Sequence, residues 1–259
     1  MNQILLTATT AAHEAGNIIH SFFHSEYEVK MKGIGNPVTE ADIAADDILK
    51  KILTTKFPDY GWLSEETRDT PHRLSKKRVW VVDPIDGTKE FVEGISNFVV
   101  SIGLVEDGKP ILGVIHNPIN KDTYTAINGG GVFFNGNQTT ISEKTEFSQM
   151  SMLNSRSETR QGLWEAYTPY FKELIPIGSI ALKLAMVAAH QTDMVASLKP
   201  KNEWDICAGN CIINEAGGKL IDLKGNSRKY NQANTLIEPG LIAGDVDAVD
   251  KTFQVLNSI

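Results

Sequence analysis

The segment Asp83-Pro84-Ile85-Asp86-Gly87-Thr88 sets two carboxylates three residues apart, beside a glycine and a hydroxyl. Asp83 follows the apolar run Val79-Trp80-Val81-Val82, which reads as a buried strand. A carboxylate at such a strand end is costly unless a cation or hydrogen bonds compensate it. Pro84 stiffens the turn. Gly87 has no Cβ, so the N–H groups of Gly87 and Thr88 can approach an anion closely, and a helix starting there would add its positive end. Two acids in such a turn suit neighbouring hard cations bound through oxygen. One turn cannot fill two coordination shells, so further acids must come from elsewhere. Glu65, at the end of a short strand, and Asp205, at a helix start after Trp204, stand in similar settings.

Taken singly, each acid has a plainer role. Asp-Gly is common in ordinary turns, and Asp205 is a good N-cap. Glu65-Glu66 suits a solvated acidic pair. Asp42 lies three residues after Thr39, the capping-box spacing, so it would close the start of a helix.

Periodicity predicts the elements that must position these groups. Residues 2–24 carry Ile4, Ala8, Ala11, Ala15, Ile18 and Phe22 at helical spacing. A loop of turn formers follows (Gly33, Gly35, Asn36, Pro37), then a helix from Thr39 to before Pro58. Gly61–Ser64 reads as a short strand, and polar, basic 67–78 as a surface excursion. The apolar runs Phe98–Val105 and Ile111–Ile115 flank a hairpin signal, and strands fit Thr123–Ile127 and Gly131–Asn135. Beyond them the pattern predicts a strand near Ser151, helices over 158–172 and 179–190, a strand over 193–198, and a helix from Asp205 to Ala216 ended by Gly217-Gly218. Strands arriving in runs favour an α+β layered architecture. It forms one compact unit divided near residue 140: a half over 1–140 with most of the acids and a half over 141–259 with Asp205.

The net charge of -7 and pI of about 5.4 argue against nucleic-acid binding as the main task. An acidic site would also repel an anionic substrate, unless bound divalent cations invert the local field. No apolar run approaches the ~20 residues needed to span a bilayer, and no signal-peptide pattern opens the chain. Cys207 and Cys211 are expected to be reduced core thiols, and the expected location is cytoplasmic.

Four segments together resemble the inositol monophosphatase superfamily over nearly the whole chain. They are Pro37-Val38-Thr39-Glu40-Ala41-Asp42, Leu63-Ser64-Glu65-Glu66, Asp83 to Thr88, and Trp204-Asp205-Ile206-Cys207-Ala208-Gly209 leading to Glu215-Ala216-Gly217-Gly218. The resemblance implies an α/β/α/β/α sandwich with metals between its halves. It also implies Mg²⁺-dependent hydrolysis of a phosphomonoester, two or three ions, and sensitivity to lithium. Glu65, Asp83 and the Ile85 carbonyl would hold the first Mg²⁺, and Asp83, Asp86 and Asp205 the second. Asp42 and Thr88 would orient and deprotonate the attacking water, and the Gly87 and Thr88 amides would hold phosphate oxygens. One cation lowering the pKa of water and another stabilising the leaving oxygen suits an in-line displacement.

Further residues bear on the substrate. Lys89-Glu90-Phe91 resembles the branch that removes the 3'-phosphate from 3'-phosphoadenosine 5'-phosphate, where inositol phosphatases usually carry Thr-Asn-Phe. Gly178-Ser179-Ile180-Ala181-Leu182-Lys183 resembles the nucleotidases' Gly-Ser-Ser-Leu-Lys, which implies substrate contacts by Ser179 and Lys183. One extra residue separates the two here, and each position turns a helical side chain by about 100°, so a surface position for Lys183 is the competing expectation. Asn154-Ser155-Arg156-Ser157 resembles a nucleotidase strand end. Leu198 stands where inositol phosphatases place a substrate-binding Glu. The resemblance thus implies a 3'(2'),5'-bisphosphate nucleotidase acting on a small phosphorylated metabolite. An inositol phosphatase or relaxed sugar phosphatase is the alternative. A non-catalytic regulatory relative is the remote one, since every acidic position and Thr88 are filled by competent residues.

Overall fold

The protein is described by a computed structural model covering residues 2–33 and 36–258. The first half contains α1 (Asn2–Phe22), β1 (Val29–Gly33), β2 (Asn36–Thr39), α2 (Glu40–Lys56), β3 (Gly61–Ser64), β4 (Arg78–Asp86), α3 (Thr88–Val92), β5 (Val99–Glu106), β6 (Lys109–Asn117), β7 (Asp122–Ile127), β8 (Val132–Phe134) and β9 (Asn137–Thr139). The second contains β10 (Ser151–Ser155), α4 (Arg156–Arg160), β11 (Glu173–Ile177), α5 (Ile180–Ala188), β12 (Met194–Ser197), β13 (Lys201–Asn202), α6 (Glu203–Glu215), β14 (Lys219–Asp222), β15 (Leu236–Ile237), β16 (Leu241–Gly244) and α7 (Val246–Leu256). Strands β3 to β9 form a seven-stranded sheet in sequence order, parallel only at β3–β4. A five-stranded sheet has the order β11-β10-β12-β16-β14.

Alternation along each strand sorts side chains into layers. On β4, Trp80 and Val82 pack with the small-residue stripes of α1 and α2 (Ala8, Ala11, Ala15, Ala41, Ala45), while Val79 and Val81 face α5 and α6. The second sheet repeats the device. Leu153, Val195 and Ala243 join the cluster around α5 and α6, whereas Met152, Met194 and Ile242 meet Ala248 and Val249 of α7. The layers therefore run helix, sheet, helix, sheet, helix. This is the α+β sandwich anticipated, with α5 and α6 as the middle layer between the two sheets.

Several local expectations are corrected. The loop expected around Gly33 to Pro37 is partly strand, because β1 and β2 pair antiparallel; Gly35 lies outside the described residues. The strand expected to stop at Asp83 continues to Asp86. Residues 158–172 are not one helix. Gly162, at φ 73°, interrupts them, leaving the end of α4 and a 3-10 turn over Glu165–Tyr170 that contains Pro169, with β11 beginning just beyond at Glu173. The excursion over 67–78 is exposed or half-buried except for Arg73, which is buried and donates to Asp69, to Asn231 Oδ1 and to the Gln232 carbonyl. Helix α6 begins at Glu203, so Asp205 is its third residue and Asn202 its cap. Cys207 and Cys211 are free and buried. Among the described residues, no helix is long and apolar enough to cross a membrane.

Candidate active site

Strands β3 and β4 run parallel with Ser64 opposite Val82, so Glu65 and Asp83 emerge side by side. Asp83 and Asp86 differ by an odd number of positions and would face opposite sides of a regular strand. The pairing with β5 prevents this. Asp83 lies opposite Ser101 and Asp86 opposite Val99, so three steps along β4 match two along β5. The bulge falls at Pro84-Ile85, where proline has no N–H to offer the ladder. It brings both carboxylates to one cavity of about 400 Å³.

Asp205 arrives from the first turn of α6, where the Asn202 N–H donates to its Oδ2 at 2.7 Å. One oxygen from each of Glu65, Asp83 and Asp205 lies within 4.8 Å of the others. The Asp86 Oδ2 accepts from Ser179 Oγ and the Ala181 N–H, both at 2.6 Å. Burial, then the charges of Glu65, Asp86 and Asp205, holds Asp83 well above the usual carboxylate range. Asp205 is raised by burial and by Asp86 and Glu65. Burial pushes Asp86 up to about 6 against its hydrogen bonds from Ser179 and Ala181. Crowded hard-oxygen donors whose ionisation is opposed by burial and mutual repulsion fit a divalent cation such as Mg²⁺.

Asp42 divides its two oxygens between two tasks. Its Oδ2 accepts from the Thr39 N–H (2.7 Å) and Oγ1 (2.6 Å), closing the capping box of α2. Its Oδ1 accepts from Thr88 Oγ1 at 3.0 Å. The same hydroxyl lies 3.0 Å from the Ile85 carbonyl, so its single proton serves one acceptor at a time. Burial raises the Asp42 pKa against these hydrogen bonds. Gly87 precedes α3 at φ 107°, and a Cβ there would meet the Asn97 carbonyl at 2.9 Å.

The facing wall comes from the second half. Ser179 caps α5 by accepting from the Leu182 N–H at 3.0 Å. Lys183 lies one turn further on the same helix face and is only 2% exposed. The surface position is thus excluded, and the extra residue does not turn Lys183 away from the cavity. Its Nζ donates to the carbonyls of Ile177 (3.1 Å) and Asn154 (3.4 Å), and burial lowers its pKa to about 8. Arg156 pairs with Glu90 at 2.8 Å and Glu93 at 2.7 Å across the cavity mouth.

All the acids singled out by sequence therefore meet in one place, with Thr88, Gly87, Ser179 and Lys183 around the same cavity. Three residues were missed. Lys32 lies in the stretch read as loop, and its Nζ is 2.6 Å from Glu65 and from Glu66. Asp46 is buried and accepts from Ser64 Oγ and Thr67 Oγ1, bracing the turn that presents Glu65. Its position four after Asp42, on the same face of α2, was the available signal. Lys201, on β13, also lines the cavity.

The family model described as the Inositol monophosphatase family matches residues 1–251. Inositol monophosphatase 3 of Solanum lycopersicum is 34% identical over 236 residues, 87% of this chain and 88% of its own. The 3'(2'),5'-bisphosphate nucleotidase CysQ of Haemophilus influenzae is 31% identical over 249 residues, 93% of this chain and 91% of its own. The structure of a Thermotoga maritima IMPase covers 100% of this chain and 98% of its own, with a TM-score of 0.88 at 29% identity. With this fold and this cluster of acids, the chain belongs to the inositol monophosphatase family of metal-dependent phosphatases.

Proposed function

We propose that the protein is a Mg²⁺-dependent 3'(2'),5'-bisphosphate nucleotidase that converts 3'-phosphoadenosine 5'-phosphate to AMP and phosphate. One observation carries the choice of substrate. The three stretches that resemble nucleotidases form a single contact network at the cavity. Glu90 pairs with Arg156. The Glu90 side chain lies against Gly178, where any Cβ would collide with it. Ser179 then binds Asp86. Leu198 supplies no carboxylate where an inositol-binding Glu would be expected.

Glu65, Asp83 and the Ile85 carbonyl would hold one Mg²⁺, and Asp83, Asp86 and Asp205 another. Bound there, Mg²⁺ would lower the pKa of the attacking water and neutralise charge on the phosphoryl and leaving oxygens. Thr88 accepts the water's proton as it donates its own to Asp42 Oδ1, along the 3.0 Å hydrogen bond already present. The raised pKa of Asp42 suits a proton acceptor. The Gly87 and Thr88 amides hold phosphate oxygens, and Ser179 and Lys183 support the substrate from the facing wall.

The test is phosphate release from 3'-phosphoadenosine 5'-phosphate against inositol 1-phosphate, with Mg²⁺, with and without Li⁺. The nucleotide is expected to be preferred and Li⁺ to inhibit. A preference for the inositol ester of about tenfold or more in kcat/KM would overturn the substrate assignment and favour the inositol phosphatase reading.

A further inference from the structure

Two charged residues, Arg73 at 2% exposure and Glu203 at 0%, are buried without lining the cavity. Both hold the same two residues of a distant loop. Arg73 Nη1 donates to Asn231 Oδ1 at 2.7 Å, and its Nη2 donates to the Gln232 carbonyl at 2.9 Å. Asn231 Nδ2 donates back to the Arg73 carbonyl at 3.2 Å. The guanidinium also forks onto Asp69, through Nε at 2.7 Å and Nη2 at 2.8 Å. From the other side, Glu203 accepts from the N–H groups of Asn231 at 2.6 Å and Gln232 at 3.0 Å, and from Arg228 Nη2 at 3.3 Å. Asn231 stands at φ 59°, a conformation that a residue other than glycine keeps where its surroundings impose it.

Each end of this chain of contacts leads to an acid of the cavity. Arg73 packs on the first residue of β3, since a Cβ on Gly61 would lie 3.2 Å from the Arg73 Cβ. That strand ends at Ser64, and Glu65 follows. Glu203 is the first residue of α6, and Asp205 is the third. Glu65 therefore comes from one half of the molecule and Asp205 from the other, and the contacts through Asn231 and Gln232 join them behind the cavity. We infer that Arg73 and Glu203 are positioning residues for the metal site, two ends of a brace that holds Glu65 and Asp205 together. The inference rests on the reading of those acids as metal ligands. Carboxylates as close as those of Glu65, Asp83 and Asp205 repel one another, so the end of β3 and the start of α6 are pushed apart until a cation joins them. The brace opposes that motion from a place the cation does not touch. Burying an arginine and a glutamate is costly, and the loop compensates both, because Gln232 offers its carbonyl to Arg73 and its N–H to Glu203.

The experiment titrates Mg²⁺ into the full chain by calorimetry, for the wild type, Arg73→Gln, Glu203→Gln, the double variant and Asp205→Asn. Each single change in the brace is expected to weaken Mg²⁺ binding by about tenfold, the lower end of what outer partners of metal ligands contribute. Both act through the same two loop residues, so the double variant should bind little more weakly than the worse single one. Initial rates should show the same displacement of the Mg²⁺ midpoint, with kcat at saturating Mg²⁺ within about threefold of the wild type. Arg73→Lys keeps the charge but not the fork, and it should retain part of the affinity even where Arg73→Gln does not fold. Dissociation constants within about twofold of the wild type, in variants whose Tm has fallen, overturn the brace and leave both residues a role in stability alone. Losses that simply multiply in the double variant overturn it too, because the two residues would then act independently. Failure of the metal assignment looks different: Mg²⁺ binding that Asp205→Asn leaves unchanged overturns that assignment, and the brace with it.

Discussion

Asp42 and Asp205 solve one problem in the same way. Each is the third residue of a helix and turns Oδ2 back to the N–H of the capping residue, Thr39 or Asn202, at 2.7 Å. The capping role and the chemical role are therefore not rivals, because each uses a different part of one carboxylate. An asparagine at either place keeps an oxygen for the cap but loses the charge. Asp205→Asn is expected to keep its melting temperature within a few degrees while turnover falls by about 10²-fold or more. Near-wild-type rates at saturating Mg²⁺ would remove Asp205 from the metal set. Thr88→Val tests the proton path with almost no change in volume. The lost hydroxyl should lower kcat by about 10²- to 10³-fold, the range of general acid–base contributions. KM for substrate should move little, and a variant with unchanged kcat would exclude the relay.

At the scale of elements, α2 sets Asp42 behind the cavity-lining Thr88 and braces Glu65 through Asp46 one turn later. Asp46→Asn leaves the cavity-lining groups in place but weakens the brace on the Glu65 turn. We expect the Mg²⁺ concentration for half-maximal rate to rise about three- to tenfold, with kcat at saturating Mg²⁺ much less affected. A Mg²⁺ titration of initial rates measures this, and an unchanged midpoint would reduce Asp46 to a stability role. The elements also show why the site was largely readable in the sequence. The acids announce themselves because a strand end, an Asp-Gly turn and a helix cap are local features, and β4 is a continuous apolar run because both its faces are covered. What stayed hidden depends on partners distant in sequence. The bulge that brings Asp83 and Asp86 together belongs to the register with β5. β11 exists because it pairs with β10, and the direction of Lys183 depends on how the chain enters α5 at Ser179, φ 54°. The short residues of α6 have a similar cause: Gly103 and Gly113 let Cys207 and Ala208 settle on the first sheet, where a Cβ would obstruct them.

At the scale of the whole molecule, the fold holds a group of acids that oppose one another, and its stability should report what neutralises them. Asp86 has a folded pKa of about 6 against an ordinary 3.8, and Asp42, Asp83 and Asp205 are raised as well. The folded state thus binds these protons more tightly than the unfolded chain. The stabilisation is full below the unfolded value and is lost as pH rises through the folded one. For Asp86 alone this amounts to about 3 kcal/mol. The metal-free protein should therefore lose stability from this group between about pH 4 and pH 6 and carry the full cost near pH 8. Mg²⁺ and protons compete for the same oxygens, so the rise in Tm on adding Mg²⁺ should be large near pH 8 and shrink towards zero below about pH 5. His116 acts oppositely, since burial lowers its pKa to about 4 and the folded state loses stability as pH falls from about 6.5. It is not among the residues lining the cavity, so its effect cancels when melts with and without Mg²⁺ are compared at one pH. Asp86→Asn should raise the metal-free Tm near pH 8 and reduce the Mg²⁺ gain together. A Mg²⁺ gain independent of pH, or a metal-free Tm lowered by that substitution, would show that the crowded carboxylates are not what the cation relieves.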